Sequence, residues 1–174
     1  MAVIEVVLGD ITTQKVDAIV NAANSGLLGG GGVDGAIHRA AGSALLDECK
    51  RLPAGPHGRC PTGECVVTNA GMLPCKKVIH TVGPVYGGSA EDSRLLGSCY
   101  RKCLKAAEAE GLESIAFPGI STGVYGYPKA AAAKVAVSTV RETLSETPSI
   151  KQVVFVCFDR ESHSIYQELL GSHA

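Results

Sequence analysis

Gly29-Gly30-Gly31-Gly32-Val33-Asp34-Gly35-Ala36-Ile37-His38-Arg39-Ala40-Ala41-Gly42 sets four consecutive glycines, an apolar residue and an acid ahead of a run with helical spacing. Glycine has no Cβ, so such a loop turns sharply and lets its N–H groups approach a ligand closely. A helix opening behind the loop aims unpaired N–H groups and the positive end of its dipole at the same place. The combination is an anion site, and phosphate is the usual guest. A flexible linker fits less well, because linkers mix Gly with Ser between polar flanks, whereas this run lies between Leu27-Leu28 and an apolar-faced helix. Asp34 falls in the first helical turn. There a carboxylate either caps the helix or, beside a phosphorylated sugar, orients a water. The stretch by itself leaves both readings open.

Working outward, Val3–Leu8 and Asp17–Asn21 read as strands, and a single helix is expected over about Val33–Lys50, stopped by Pro53. Residues 53–63 form a loop rich in Pro and Gly. Glu64–Asn69 and Lys77–Val82 read as two more strands, followed by a helix over about Asp92–Glu110 with Gly111 as its C-cap. Ser114–Pro118 is a strand that opens into a second glycine-bearing loop, and Pro128 begins the next helix, which runs to about Leu144. Gln152–Phe158 is an apolar central strand, and Ser162–Leu170 a final helix. Strands alternating with helices indicate an α/β sandwich whose sheet is covered on both faces. In such sheets ligands lie beyond the strand carboxyl ends, where the loops after Leu8, Asn21, Pro118 and Cys157 can converge.

Composition narrows the possibilities. The net charge of −1 argues against a general polyanion surface, so any anion is held by local geometry. No apolar run approaches a membrane span, and Met1-Ala2-Val3-Ile4-Glu5 lacks the basic start of a signal peptide. The seven cysteines are an odd number, with no CxxC pair and no Cys/His cluster at zinc spacing, which suggests reduced, structural thiols in a cytoplasm. No metal or cofactor is called for.

Gly119-Ile120-Ser121-Thr122-Gly123-Val124-Tyr125-Gly126-Tyr127 is the second phosphate candidate, because successive backbone N–H groups there can form a nest. With the Gly29–Gly32 loop on the same sheet edge, the pair suggests a diphosphate cleft. Familiar alternatives are absent: there is no GxxxxGK[ST], no GxGxxG after the first strand with its acid, and no GxSxG elbow. His80 reads as a hydrogen-bonded core residue. His38, on a helix, and His57, His163 and His173, in polar surroundings, receive no role. Asp10 either accepts from a base amino group or is a turn acid. Asn24 either holds ribose hydroxyls or braces its loop. Phe158 either stacks on a base or packs in the core.

Gly9-Asp10-Ile11-Thr12, Val16 to Asn24, Gly29 to Gly42, Val78 to Pro84 and Phe117 to Pro128 together resemble the macrodomain family. Within it they are similar to the MacroD-type branch. The resemblance spans nearly the whole chain and implies a single macrodomain over residues 1–174, a three-layer α/β/α sandwich with a central mixed sheet that binds ADP-ribose. By that resemblance Asp10 and Ile11 would contact adenine, and Phe158 would flank the base or its ribose. Asn24 would hold the distal ribose. Ala22, Gly31, Gly32 and Val33, with Ser121, Thr122, Gly123, Val124 and Tyr125, would line the diphosphate site. Asp34, with Asn24, would serve catalysis. The implied reaction is hydrolysis of the ester joining ADP-ribose to Asp or Glu of mono-ADP-ribosylated proteins, and of O-acetyl-ADP-ribose. Neither a membrane nor a nucleic acid is expected as a partner. The family also includes modules that only bind, which need the pocket but not Asp34, and a third reading is an ADP-ribose 1″-phosphate phosphatase.

Overall fold

The computed structural model describes residues 2–171; Met1 and His173 lie outside them. The strands are β1 (Val3–Leu8), β2 (Ala18–Ala22), β3 (Cys65–Asn69), β4 (Lys77–Thr81), β5 (Ser114–Phe117) and β6 (Gln152–Cys157). The helices are α1 (Gly32–Ala41), α2 (Ser43–Arg51), α3 (Ala90–Ala109), α4 (Lys129–Thr143) and α5 (Arg160–Gly171). All six strands join one sheet in the order β1-β6-β5-β2-β4-β3. It is mixed: among the described residues only β3 runs antiparallel to its neighbour, and the other pairings are parallel.

Two apolar clusters, one on each face, explain why strand after strand is apolar throughout. Ala18 and Val20 of β2, Ile115 and Phe117 of β5, and Val153 and Phe155 of β6 pack with α3, α4 and α5. Their alternate neighbours Ile19, Ala116, Val154 and Val156 pack with Ile37, Ala41, Leu45 and Cys49 of α1 and α2. Side chains alternate faces along a strand, so a sheet buried on both sides leaves no position for polar residues without a special reason. The expected three-layer sandwich is the fold. Among the described residues no helix is long and apolar enough to cross a membrane.

The expected single helix over 33–50 is two. Gly42 sits at φ +83 between α1 and α2. A glycine at this φ ends a helix locally, and a distant contact reinforces the end: Met72 of the β3–β4 loop donates its N–H to the Ala41 carbonyl at 2.9 Å. At Gly71 a Cβ would lie 2.4 Å from that same carbonyl oxygen. The loop therefore occupies the space and the acceptor a continuing helix would need. Pro128 is the residue flanking α4 rather than its first helical position. The last strand stops at Cys157, one residue short of expectation, so Phe158 stands outside the sheet at 87% exposure. Core packing, one of the two roles open to Phe158 in the sequence, is thereby excluded.

Candidate active site

The carboxyl ends of β2, β5 and β6 open into a cleft of about 460 Å³. Ala22, Asn24, Gly31, Gly32, Val33, Asp34, Ser121, Thr122, Gly123, Val124, Tyr125 and Phe158 all line it. Asp10 and Ile11 do not. Asp10 accepts from Thr12 N–H at 2.8 Å and from the Thr12 hydroxyl at 2.7 Å, capping the short 3-10 turn 11–13. Both bonds use Oδ1. Ile11 is buried with the α1 and α2 cluster.

Gly31 is the N-cap of α1 and supplies no capping side chain. The first internal bond of the helix is Gly35 N–H to the Gly31 carbonyl, at 3.2 Å. The N–H groups of Gly32, Val33 and Asp34 therefore have no partner within the helix and point out of its first turn. On the facing loop Ser121 adopts φ +66, a costly conformation for a residue with a Cβ. Bonds from Tyr127 N–H to the Ser121 carbonyl (2.9 Å) and from Gly126 N–H to the Gly123 carbonyl (3.0 Å) hold that bend. Neither uses the N–H groups from Thr122 to Tyr125. Two sets of backbone donors thus face one cleft, a suitable cradle for two linked phosphates.

Asp34 is 4% exposed and caps nothing. Its Oδ1 accepts from Asn21 Nδ2 at 2.8 Å, and its Oδ2 is buried without a hydrogen bond. A Cβ placed on Gly30 would lie 3.2 Å from Asp34 Oδ2 and 3.3 Å from Asn24 Nδ2, so both groups converge on this glycine. Asn24 also donates to the Gly29 carbonyl at 3.1 Å, bracing the loop. His38, one turn along α1, puts Nε2 3.4 Å from Asp34 Oδ1. Sequence reasoning passed over His38, although its i, i+4 spacing from Asp34 was the available signal.

At the other end of the cleft Phe158 projects into solvent, and Asp159 caps α5 by accepting from Ser162 N–H at 2.7 Å. That bond holds the Asp159 carboxyl below its ordinary value. Tyr166 of α5 and Ala132 and Ala133 of α4 form part of the floor, and Gly83 enters from the loop after β4. None of these four was singled out in the sequence, since each reads as ordinary helix or turn. Among the described residues no group of three or more His, Cys, Asp or Glu is placed to hold a metal ion.

Residues 20–136 match the family model described as Macro domain. The chain is 58% identical over 168 residues to the O-acetyl-ADP-ribose deacetylase of Enterobacter sp. (strain 638), covering 96% of this chain and 93% of that one. The Salmonella typhimurium protein of the same name is also 58% identical, with the same coverage. Among solved structures, an Oceanobacillus iheyensis macrodomain with ADP superposes at a TM-score of 0.92 and 45% identity, covering 98% of this chain and 90% of that one. A Trypanosoma brucei macrodomain in complex with ADP-ribose superposes at 0.89 and 43% identity, covering 97% and 69% of the two chains.

Proposed function

This chain belongs to the Macro domain family, and on that premise we propose that it is a hydrolase, built as a single macrodomain, that binds ADP-ribose and cleaves acyl esters on its distal ribose. Its substrates are O-acetyl-ADP-ribose and proteins carrying mono-ADP-ribose on Asp or Glu. The relatives named O-acetyl-ADP-ribose deacetylase support the first substrate. The second is an extension on chemical grounds, since both are acyl esters of the same sugar.

One observation carries the enzymatic reading over a pure binding role. Asp34 is buried at the cleft with Oδ2 unpartnered, and it is spent on no cap. A carboxylate held in the same cleft as the phosphate cradle repels the ligand's own charge, and a binding module has no use for that repulsion. In this assignment the Gly31–Val33 and Ser121–Tyr125 backbones hold the diphosphate, with Ala22 lining the site beside them. Phe158 stacks on the adenine end, and the base reaches past the cleft lining to Oδ2 of Asp10, whose turn Ile11 supports. Asn24 fixes the distal ribose.

Chemistry then follows from position. Asp34 Oδ2 accepts a hydrogen bond from a water and takes its proton as the oxygen attacks the acyl carbonyl carbon. The tetrahedral species collapses by breaking the carbon–oxygen bond to the ribose. The proton passes from Asp34 to the departing sugar oxygen, leaving a carboxylic acid and ADP-ribose. His38 lies against the other oxygen of Asp34 and offers a second acceptor for the proton. Fixing water, carbonyl and base together is a large share of such a barrier.

The test is incubation with O-acetyl-ADP-ribose and, separately, with a glutamate-linked mono-ADP-ribosylated protein, followed by chromatography for free ADP-ribose. Release from both is expected. Tight ADP-ribose binding without release from either ester would reduce the protein to a binding module.

A further inference from the structure

Asn21 is a polar residue at the centre of an apolar sheet, wholly buried on β2. In the parallel β2–β4 register it lies directly opposite His80, also wholly buried. Its Nδ2 donates to Asp34 Oδ1 at 2.8 Å and lies 3.1 Å from His80 Nδ1. An amide nitrogen has no lone pair to offer, so His80 Nδ1 must be the acceptor. The ring proton is then on Nε2, 2.9 Å from the Thr68 hydroxyl oxygen, and that hydroxyl in turn donates to the Asn69 carbonyl at 3.1 Å. Flipping the Asn21 amide would set its oxygen against both a carboxylate and an imine nitrogen, so the orientation is fixed. Burial holds the His80 ring in its neutral form, with its pKa lowered to about 4. Every proton in the row therefore has one place, and the row runs across β3, β4 and β2 onto α1.

We propose that Asn21, His80 and Thr68 are positioning residues, a hydrogen-bonded row that clamps Asp34 Oδ1 and so turns Oδ2 toward Asn24 and the cleft. The proposal rests on the hydrolase reading above and assigns that site its buried support. Without the clamp, an acid in the first turn of a helix has nearby N–H groups to fold back on, which is its common use. Packing alone does not call for such a row, because the neighbouring positions on the same face of the sheet, Ile19 and Val78, are filled by apolar side chains, and the row's outer end is the cleft carboxylate and not backbone.

The decisive comparison is His80→Phe against His80→Asn. Asparagine keeps an acceptor near the Nδ1 position, and phenylalanine does not. For folded His80→Phe we expect kcat on O-acetyl-ADP-ribose to fall about tenfold or more, in line with the loss of one hydrogen bond to a charged group. ADP-ribose Kd should stay within about threefold, because the clamp touches no ligand. His80→Asn should recover most of kcat. Wild-type turnover by folded His80→Phe would overturn the proposal. Should His80→Phe not fold, Thr68→Val, which removes only the far hydroxyl, takes its place: the same fall in kcat supports the clamp, and wild-type turnover overturns it. Should the wild type release no ADP-ribose from either ester, the hydrolase reading falls separately, and the crystal structure of the variant decides the clamp. Asp34 turned back onto the N–H groups of α1 would support it, and Asp34 unmoved on Asn21 would overturn it.

Discussion

Gly83 and Ser121 touch through the absence of a side chain: a Cβ on Gly83 would lie 2.1 Å from the Ser121 hydroxyl oxygen and 2.6 Å from Ile120 Cγ2. Any side chain at position 83 would force Ser121 and Ile120 to shift. The Ser121 hydroxyl can rotate away, whereas the branched Ile120 Cγ2 and the Ser121 backbone, already at an unfavourable φ, have less room. Gly83→Ala is expected to push the Ser121–Tyr125 donors out of place. It should weaken ADP-ribose binding about tenfold or more and lower stability by about 1–3 kcal/mol. Calorimetry and denaturant unfolding on the same sample check this, and wild-type affinity in the variant would show that the two loops are set independently.

Asp34→Ala separates the cap from the base. A lost cap would cost about 0.5–2 kcal/mol and leave turnover nearly intact. Because Asp34 caps nothing, the expected result is the reverse. Unfolding free energy should stay within about 1 kcal/mol of wild type, the lost Asn21 bond being offset by removal of a buried carboxylate. Single-turnover ester hydrolysis should fall on the order of 10²–10⁴-fold. ADP-ribose should bind at least as tightly, since a negative charge near the diphosphate has gone. Near-normal hydrolysis by the variant would remove Asp34 from the reaction.

Phe158→Ala tests the other end of the cleft. The ring is 87% exposed, so it contributes little to folding, and stability should change by no more than about 0.5 kcal/mol. A ring stacked on a base is worth about 1–3 kcal/mol by analogy with single-strand sites, so ADP-ribose affinity should drop about tenfold or more while ribose 5-phosphate affinity stays unchanged. Equal losses for both ligands would place Phe158 away from the base.

His80 gives stability a pH dependence of known sign. Burial lowers its pKa from 6.5 to about 4, with His38 adding a smaller push in the same direction. The folded state therefore binds fewer protons than the unfolded state in this interval. Its contribution is fully present above pH 6.5 and is lost as pH falls through about 4. The shift corresponds to roughly 3 kcal/mol at 1.36 kcal/mol per unit. The carboxyls of Asp17, Asp92 and Asp159 are lowered from an ordinary 3.8 and so lose their contribution beneath this window, while the exposed Glu91, lowered from 4.5 by its bond with Arg94, overlaps only the lower edge. Unfolding free energies at pH 7, 5.5 and 4.5 should decline in the wild type and decline less in His80→Asn. Parallel curves would assign the loss to other groups.

The sequence revealed elements that local chemistry decides. Apolar runs with turns at their ends gave the strands, and two glycine loops after β2 and β5 gave the cleft. Features set by distant residues were not legible. The break at Gly42 had a local signal, a glycine behind His38 and Arg39, but the helical spacing that runs through it masks that signal, and the contacts that accompany it come from Gly71 and Met72, some thirty residues further along the chain. Asp34 carried two equal readings because its partner, Asn21, reaches it through the fold and not along the helix. One signal was present and undervalued: Asn21 is a polar residue in a strand with no exposed face, and such a residue needs a partner.

The edge strand β1 and the strand it leans on belong to chain segments made at different times. Among the described residues β1 pairs with β6 alone, Val3 opposite Gln152 through Leu8 opposite Cys157. It therefore has no strand to join until residues 152–157 have emerged from the ribosome. Closing so long a loop is entropically slow, and until it closes the edge of β6 stays open to pairing with other chains. Pulse-labelling hydrogen exchange during refolding should find the amides of β1 protected last, after those of β2, β4 and β5. Early protection at Val6 and Val7 would show that β1 docks before its only partner strand is in place.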